Sequence, residues 1–320
     1  MKFRSEPARI RGAIAPLFTP FTDDGAVDHD ALRRMVRWQL AHGTRGISIG
    51  GSTGEPSALS LGERVEAIRT VAAEVADSVP FLPGTGSAKL DETLELTAVA
   101  RDEGADAVLV ITPYYARPTQ EALYTWYSTV AKEFPDLPIV AYNVPVRTAV
   151  EIAPQTFARL YRDHDNIVGI KETTKDFEHF SRVMHLCGRE VLMWSGIELL
   201  CLPLIALGGA GFISALSNLA PAAVAQTYEA AVSGDWERAR ELHYGVHPLV
   251  DLLFTETNPA PAKWLMAQRG LISSGNVRPP LIPLTEAGQD KVRALAAQAE
   301  QYLTPVDERA LTSAAPGALR

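Results

Sequence analysis

Cysteine is scarce in this chain: Cys187 and Cys201 are the two among 320 residues. They form no ligand-spaced set, so nothing points to a disulfide framework, a structural zinc site or an iron–sulfur cluster. They read as reduced, buried thiols of a cytosolic protein. An excess of positive charge is missing as well. Lys and Arg number 30 against 38 Asp and Glu, a net charge of −8, which is the wrong sign for a nucleic-acid-binding surface. Residues 1–11 are charged and lack the apolar core of a signal peptide. An unbroken apolar run of membrane length is also lacking. Residues 199–226 carry no formal charge, but Pro203, the Gly208-Gly209-Ala210-Gly211 cluster and Pro221 divide them into pieces too short to span. The expectation is a cytoplasmic protein with neither membrane nor nucleic acid as partner.

What is present is material for a large core, with 47% hydrophobic and 21% charged residues. Length alone suggests about two domains, but α/β barrels commonly use ~250 residues as one. Apolar strand signals fall at residues 13–18, 46–49, 80–82, 107–111, 139–142, 167–170, 191–194 and 212–215. Helical patterns separate most of them, with stop and start signals in place. Asp28 is placed to cap a helix bearing Leu32, Met35, Val36 and Leu40, and Ser60 with Glu63 makes a capping box. Asp176 caps another helix, and Gly43, Gly104 and Gly188 close helices. Eight strands roughly 28 residues apart predict an α/β fold, a (β/α)₈ TIM barrel. An open doubly wound sheet competes less well, because no Gly-x-Gly-x-x-Gly follows the first strand. Beyond the eighth strand the spacing is helical over residues 220–232, 235–254, 259–268 and 285–302, which exceeds what a barrel needs. The expected division is a barrel over residues 1–225, a helical C-terminal extension over 226–302 and a flexible tail over 303–320.

The most informative stretch is Asn166-Ile-Val-Gly-Ile-Lys171-Glu-Thr-Thr174. A short apolar run bounded by polar residues suits a strand covered on both faces. Lys171 then stands at its carboxyl end, where α/β barrels carry their chemistry. An amine shielded from bulk water there is a nucleophile for a carbonyl, and the product is a Schiff base. Taken alone, Lys171 also reads as a strand-end lysine snorkelling to solvent.

Other loops fall on the same predicted face. Gly50-Gly51-Ser52-Thr53-Gly54-Glu55 offers backbone N–H groups and two hydroxyls, enough to cradle a carboxylate, or else is an ordinary strand-to-helix turn. Tyr114-Tyr115 reads as packing or interface. Tyr142, on the strand next to that of Lys171, is a phenol able to move protons beside an imine. Arg147 can hold a second anionic group or be a solvated loop arginine. At Gly211-Phe-Ile-Ser214 backbone groups can approach a small ligand.

Gly-Ser-Thr-Gly-Glu, Thr-Pro-Tyr-Tyr, Tyr-Asn-Val-Pro-x-Arg-Thr and Gly-Ile-Lys-Glu, in this order and spacing, resemble the dihydrodipicolinate synthase / N-acetylneuraminate lyase superfamily. The resemblance runs from Arg11 to about Leu295. It implies a barrel with a helical C-terminal domain and no metal or organic cofactor. It implies that Lys171 forms the Schiff base with pyruvate or another 2-oxo acid and that Tyr142 donates and accepts the protons. Ser52 and Tyr115 complete a relay, with Tyr115 supplied by a neighbouring subunit of a homotetramer built as a dimer of dimers. Thr53 and Ile213 line the pyruvate site, and Gly51 and Gly196 are placed beside it.

The same resemblance leaves the reaction open. Arg147 matches the synthase that joins pyruvate to aspartate semialdehyde. Sialic-acid lyases lack the Arg-Thr pair and rank low. Ser52 stands where synthases usually have threonine, and Pro56 where a small residue is usual. Leu61, Arg64 and Ala88 occupy positions of the feedback lysine site with only Glu92 retained, so inhibition by lysine is not expected. Asp176-Phe-Glu-His179, the segment Gly196-Ile-Glu-Leu-Leu-Cys201 and Thr257-Asn-Pro-Ala-Pro261 resemble a side branch of catabolic aldolases for 4-hydroxy-2-oxo acids. A pyruvate-dependent lyase or synthase acting on an aldehyde, a dehydratase using the same imine, and a barrel that binds a 2-oxo acid without turnover are the three readings. Retention of both the amine and the proton relay argues against the last.

Overall fold

Alternation of side chains along each strand sorts the core into two layers. Ile14, Leu109, Val140, Tyr142, Leu192, Trp194 and Ile213 pack together on one side of the sheet, while Ala13, Val108, Val110, Ile139, Ala141, Met193 and Phe212 join a second cluster with the helices. That is the period of two expected of a sheet buried on both faces and curled on itself. The computed structural model describes residues 6–307.

The chain runs β1 (Gly12–Pro16), α1 (His29–Ala41), β2 (Gly46–Ser48), α2 (Leu61–Val75), α3 (Leu90–Asp102), β3 (Val108–Ile111), α4 (Gln120–Glu133), β4 (Ile139–Asn143), α5 (Pro145–Thr148), α6 (Pro154–Asp163), β5 (Ile167–Glu172), α7 (Phe177–Cys187), β6 (Leu192–Ser195), α8 (Cys201–Ala206) and β7 (Gly211–Ile213). Then follow α9 (Pro221–Ser233), α10 (Trp236–Gly245), α11 (His247–Leu253), α12 (Ala260–Gln268) and α13 (Glu286–Gln298). All sheet pairings are parallel, in the order β2-β1-β7-β6-β5-β4-β3. The predicted caps are in place: Asp28 accepts from Ala31 N, and Ser60 and Glu63 form a reciprocal capping box.

Among the described residues seven strands are regular where eight were expected, and residues 80–85 account for the difference. Pro80 and Pro83 have no N–H, so this segment cannot sustain a continuous ladder. It still bridges both edges. Leu82 N and Gly84 N donate to Ile47 O and Ile49 O, while Thr85 N donates to Leu109 O and Leu109 N to Pro83 O. Parallel bridges join Phe81 to Ile47 and Gly84 to Leu109. The irregular segment thus closes the ring between β2 and β3, and the barrel stands.

Three further expectations are corrected. The helix read over residues 235–254 is two, because Pro248 lies in the first turn of α11 and α10 ends before it. α9 is continuous across residue 225, so the expected barrel boundary falls inside a helix. The segment from 303 is packed as far as it is described: Leu303 and Thr304 are buried, and Trp38 Nε1 donates to Pro305 O at 2.8 Å. The remainder of that expected tail, residues 308–320, lies outside the described residues. The uncharged stretch 199–226 is α8, β7 and the start of α9, and among the described residues no helix is long and apolar enough to cross a membrane.

Candidate active site

Register sets the centre of the site. Tyr142 of β4 is directly paired with Lys171 of β5, which in turn faces Trp194 of β6. Since Tyr142 points into the barrel, Lys171 does too, while Ile170 points to the helices. Lys171 Nζ lies 4.3 Å from the centroid of the Tyr142 ring, and the two residues are 5% and 3% exposed. The lysine is therefore inside the strand end, one residue before Glu172, rather than snorkelling to solvent.

Packing holds it there. An added Cβ at Gly196 would fall 2.6 Å from Lys171 Cε and 2.3 Å from Thr173 Cγ2, so a larger residue would have to displace the lysine side chain or Thr173. One residue on, the strands are clamped on their outer face. Asn143 Nδ2 donates to both oxygens of the fully buried Glu172, at 3.0 and 2.9 Å, and Thr173 N and Thr174 N donate to Glu172 Oε1. His179 Nε2 of α7 stands 3.0 Å from Glu172 Oε2. Burial disfavours a charged His179, but Glu172, with Glu151 and Asp176 beyond it, outweighs burial and raises the imidazole above its usual value.

The loop after β2 supplies the second half. Gly50 has φ +77, and a Cβ on it or on Gly84 would strike the other's carbonyl at 2.8 or 2.6 Å. Two glycines back to back thus let residues 50–51 lie against residues 84–86. The 3₁₀ turn Ser52–Gly54 follows. As its first residues, Ser52 and Thr53 carry N–H groups with no partner inside the turn. Ser52 Oγ is 3.0 Å from Tyr142 Oη. Thr53 is buried and its Oγ1 accepts from Asn258 Nδ2 at 3.2 Å.

A cleft of about 200 Å³ opens over this pair, lined among others by Gly51, Ser52, Ile111, Tyr114, Tyr142 and Arg147. Arg147, on the short α5, is exposed and reaches the cleft wall. Ile213 is buried on the inner barrel face of β7. Tyr115 stands apart. It is 96% exposed with φ +73, and Tyr114 rather than Tyr115 lines the cleft of the single chain. Among the described residues no group of three or more His, Cys, Asp or Glu side chains converges as a metal site.

A buried amine, a phenol against it, a hydroxyl on the phenol and a glycine-rich turn beside them can form, protonate and hydrolyse an imine. The family model for the dihydrodipicolinate synthetase family matches residues 9–299. The chain belongs to the dihydrodipicolinate synthetase family.

Relatives of the family agree over nearly the full length. The chain is 44% identical over 302 residues to a 4-hydroxy-tetrahydrodipicolinate synthase of Thermus thermophilus, covering 94% of this chain and 99% of that one. The Methanopyrus kandleri enzyme of the same name is 43% identical over 283 residues, with 88% and 93% covered. Among solved structures, dihydrodipicolinate synthase from Aquifex aeolicus superposes with TM-score 0.88 at 37% identity, covering 92% and 99%. The chloride-inhibited enzyme of Acinetobacter baumannii in complex with pyruvate gives 0.87 at 37% identity, covering 91% and 99%. The protein is accordingly a lyase of the pyruvate-dependent aldolase group that this family represents.

Sequence reasoning passed over the partners behind the site. Asn143, Glu172 and His179 form the clamp beneath Tyr142 and Lys171. Arg64, buried, donates to the carbonyls of Gly84 and Gly86 that form the cleft floor. Lys263 comes from α12, and Asn258 from the turn between α11 and α12. The first group was within reach, since Asn143 and Glu172 each follow a singled-out residue.

Proposed function

We propose that the protein condenses pyruvate with aspartate semialdehyde, as a 4-hydroxy-tetrahydrodipicolinate synthase. The observation that carries the chemistry is the direct pairing of Tyr142 with Lys171, with Ser52 Oγ on the Tyr142 phenol. The choice of aldehyde is supported by Arg147 at the cleft wall and by relatives 39–44% identical that bear that enzyme's name.

The steps follow from the groups present. The Lys171 amine adds to C2 of pyruvate, and loss of water leaves the imine, with Tyr142 passing protons to and from oxygen and nitrogen. Ser52 and Thr53 hold the pyruvate carboxylate through their N–H groups and hydroxyls. Gly51 and Ile213 leave room for the methyl carbon, and Gly196 keeps the lysine extended. Loss of a methyl proton converts the imine to an enamine, whose carbon attacks the aldehyde. Arg147 meets the aldehyde partner's carboxylate with a charge-assisted hydrogen bond. The partner's own amine then attacks C2, closes the ring and frees Lys171. Ser52 relays the Tyr142 proton toward solvent, and Tyr115, projecting from the surface, extends that relay into a neighbouring copy of the chain. The protein acts as a homotetramer in the cytoplasm.

Pyruvate consumption measured against a panel of aldehydes tests this reading. Aspartate semialdehyde should give the highest kcat/KM. A preference of tenfold or more for succinate semialdehyde, or for release of pyruvate from 4-hydroxy-2-oxo acids, would replace the synthase by a catabolic aldolase. Turnover of a sugar-derived 2-oxo acid with loss of water alone would make it a dehydratase.

A further inference from the structure

A second buried lysine lies beyond the residues that line the cleft. Lys263 of α12 is 0% exposed, with Nζ 2.8 Å from Glu55 Oε1 and 4.0 Å from the Phe21 ring centroid. The other Glu55 oxygen accepts from Arg278 N at 3.0 Å, and the Arg278 side chain reaches Gly25 O, Ala58 O and Glu63. Asn258, shortly before α12, donates to Thr53 Oγ1. The donors all come from beyond α11, and the acceptors include both ends of the segment Thr53–Gly54–Glu55.

Glu55 is the residue on which the turn depends. It has φ +54, between the 3₁₀ turns Ser52–Gly54 and Pro56–Ala58. A residue with a Cβ enters that left-handed region only when its surroundings hold it there. Here they hold it through the carboxylate. A buried ion pair is a poor source of net stability, because desolvation offsets its attraction, so this one invites a role in geometry. Asn258 adds polarity of the right sense. Since Thr53 Oγ1 accepts from the amide, its own proton is free to be donated to an anion.

We propose that Lys263 and Asn258 are positioning residues for the 2-oxo acid carboxylate. Lys263 acts through Glu55 to hold the Ser52–Gly54 turn, and Asn258 orients the Thr53 hydroxyl. The proposal rests on the reading that Ser52 and Thr53 bind that carboxylate. It makes the C-terminal helices part of the site's framework. The charge of the clamp is also titratable near neutrality. Burial brings the Lys263 amine down to about 8, against the pull of Glu55 and with Arg278 adding to the fall; Glu63, paired with Arg278, is the next charge out.

The test is the pyruvate concentration that half-saturates borohydride trapping on Lys171, measured for the full chain with thermal melts alongside. Lys263→Met and Asn258→Ala should each raise it about tenfold or more, while saturating pyruvate still labels Lys171 fully. Glu55→Gln/Lys263→Met should recover melting temperature without recovering pyruvate affinity. Wild type should lose affinity between pH 7 and 9, and Lys263→Met should not. Wild-type half-saturation in Lys263→Met and Asn258→Ala would overturn the proposal, as would a defect that disappears when the double variant regains stability. Should Lys263→Met not fold, Asn258→Ala decides. Thr53→Val separates the two layers. If it leaves half-saturation unchanged, the carboxylate reading itself fails; if it is impaired while Lys263→Met and Asn258→Ala are normal, only the clamp fails.

Discussion

Replacing Tyr142 by Phe removes one oxygen and leaves the rest of the site in place. The ring that Lys171 Nζ approaches to 4.3 Å is kept, and so is the packing of a side chain that is 3% exposed. What is lost is the Oη that meets Ser52 Oγ at 3.0 Å. As a structural hydrogen bond it contributes about 0.5–1.5 kcal/mol, a fall of a few degrees in Tm. As a general acid and base it is worth roughly 10²–10⁴-fold, or about 3–5 kcal/mol of transition-state stabilisation. The two magnitudes separate the roles. Steady-state assays with pyruvate and aspartate semialdehyde should show kcat reduced at least about 100-fold, with the pyruvate KM changed by no more than about threefold. Trapping of pyruvate on Lys171 should become slow but still go to completion. A kcat within about threefold of wild type would refute the assignment, because Tyr142 is the phenol that the strand register sets beside Lys171.

Gly196→Ala should slow imine formation about 100-fold or more, since the new methyl must displace Lys171 Cε or Thr173; stopped trapping reactions measure it, and a normal rate would mean that the lysine reacts from another rotamer. Arg147→Ala should raise the aldehyde KM by roughly 10–100-fold, the worth of a hydrogen bond between charged groups, while leaving the pyruvate KM alone. Glu63 bears on stability toward acid. Hydrogen bonding from Arg278 is the largest influence and lowers the Glu63 carboxyl from 4.5 to about 2. A depressed carboxyl stabilises the fold above its unfolded value and loses that contribution as pH falls from about 4.5 to 2. With a side chain 30% exposed, we expect about 1–2 kcal/mol after solvent screening. Thermal melts of Glu63→Gln should therefore show a smaller drop across that range than wild type; parallel curves would remove Glu63 from the acid limb.

The legible part of the chain was the part governed by local period. Short apolar runs leading to Tyr142 and Lys171 were enough to expect adjacent strands, and their register puts the two side by side. Helix caps at Asp28 and Ser60 are short-range chemistry and were readable for the same reason. Pro80 and Pro83 blurred the third strand, whose pairing depends on carbonyls and on two neighbours far apart in sequence. Residues 303–305 read as loose from composition, yet Leu303 and Thr304 are buried and Pro305 caps the Trp38 indole across 267 positions. Lys263 was illegible in principle. A lysine in a helical segment reads as solvated until the fold delivers Glu55, 208 positions away, to meet it. Tyr115 is 96% exposed and does not line the cleft of the described chain, so nothing within that chain places it in the relay.

The central claim is a covalent one, that Lys171 forms an imine with pyruvate. The protein should be incubated with pyruvate, reduced with borohydride and digested, with omission of pyruvate and a Lys171→Ala variant as controls. The account predicts one reduced pyruvyl adduct per chain, confined to the peptide containing Lys171 and absent from both controls. An adduct that persists in Lys171→Ala, or a wild-type protein that no 2-oxo acid labels while its fold is intact, would contradict it.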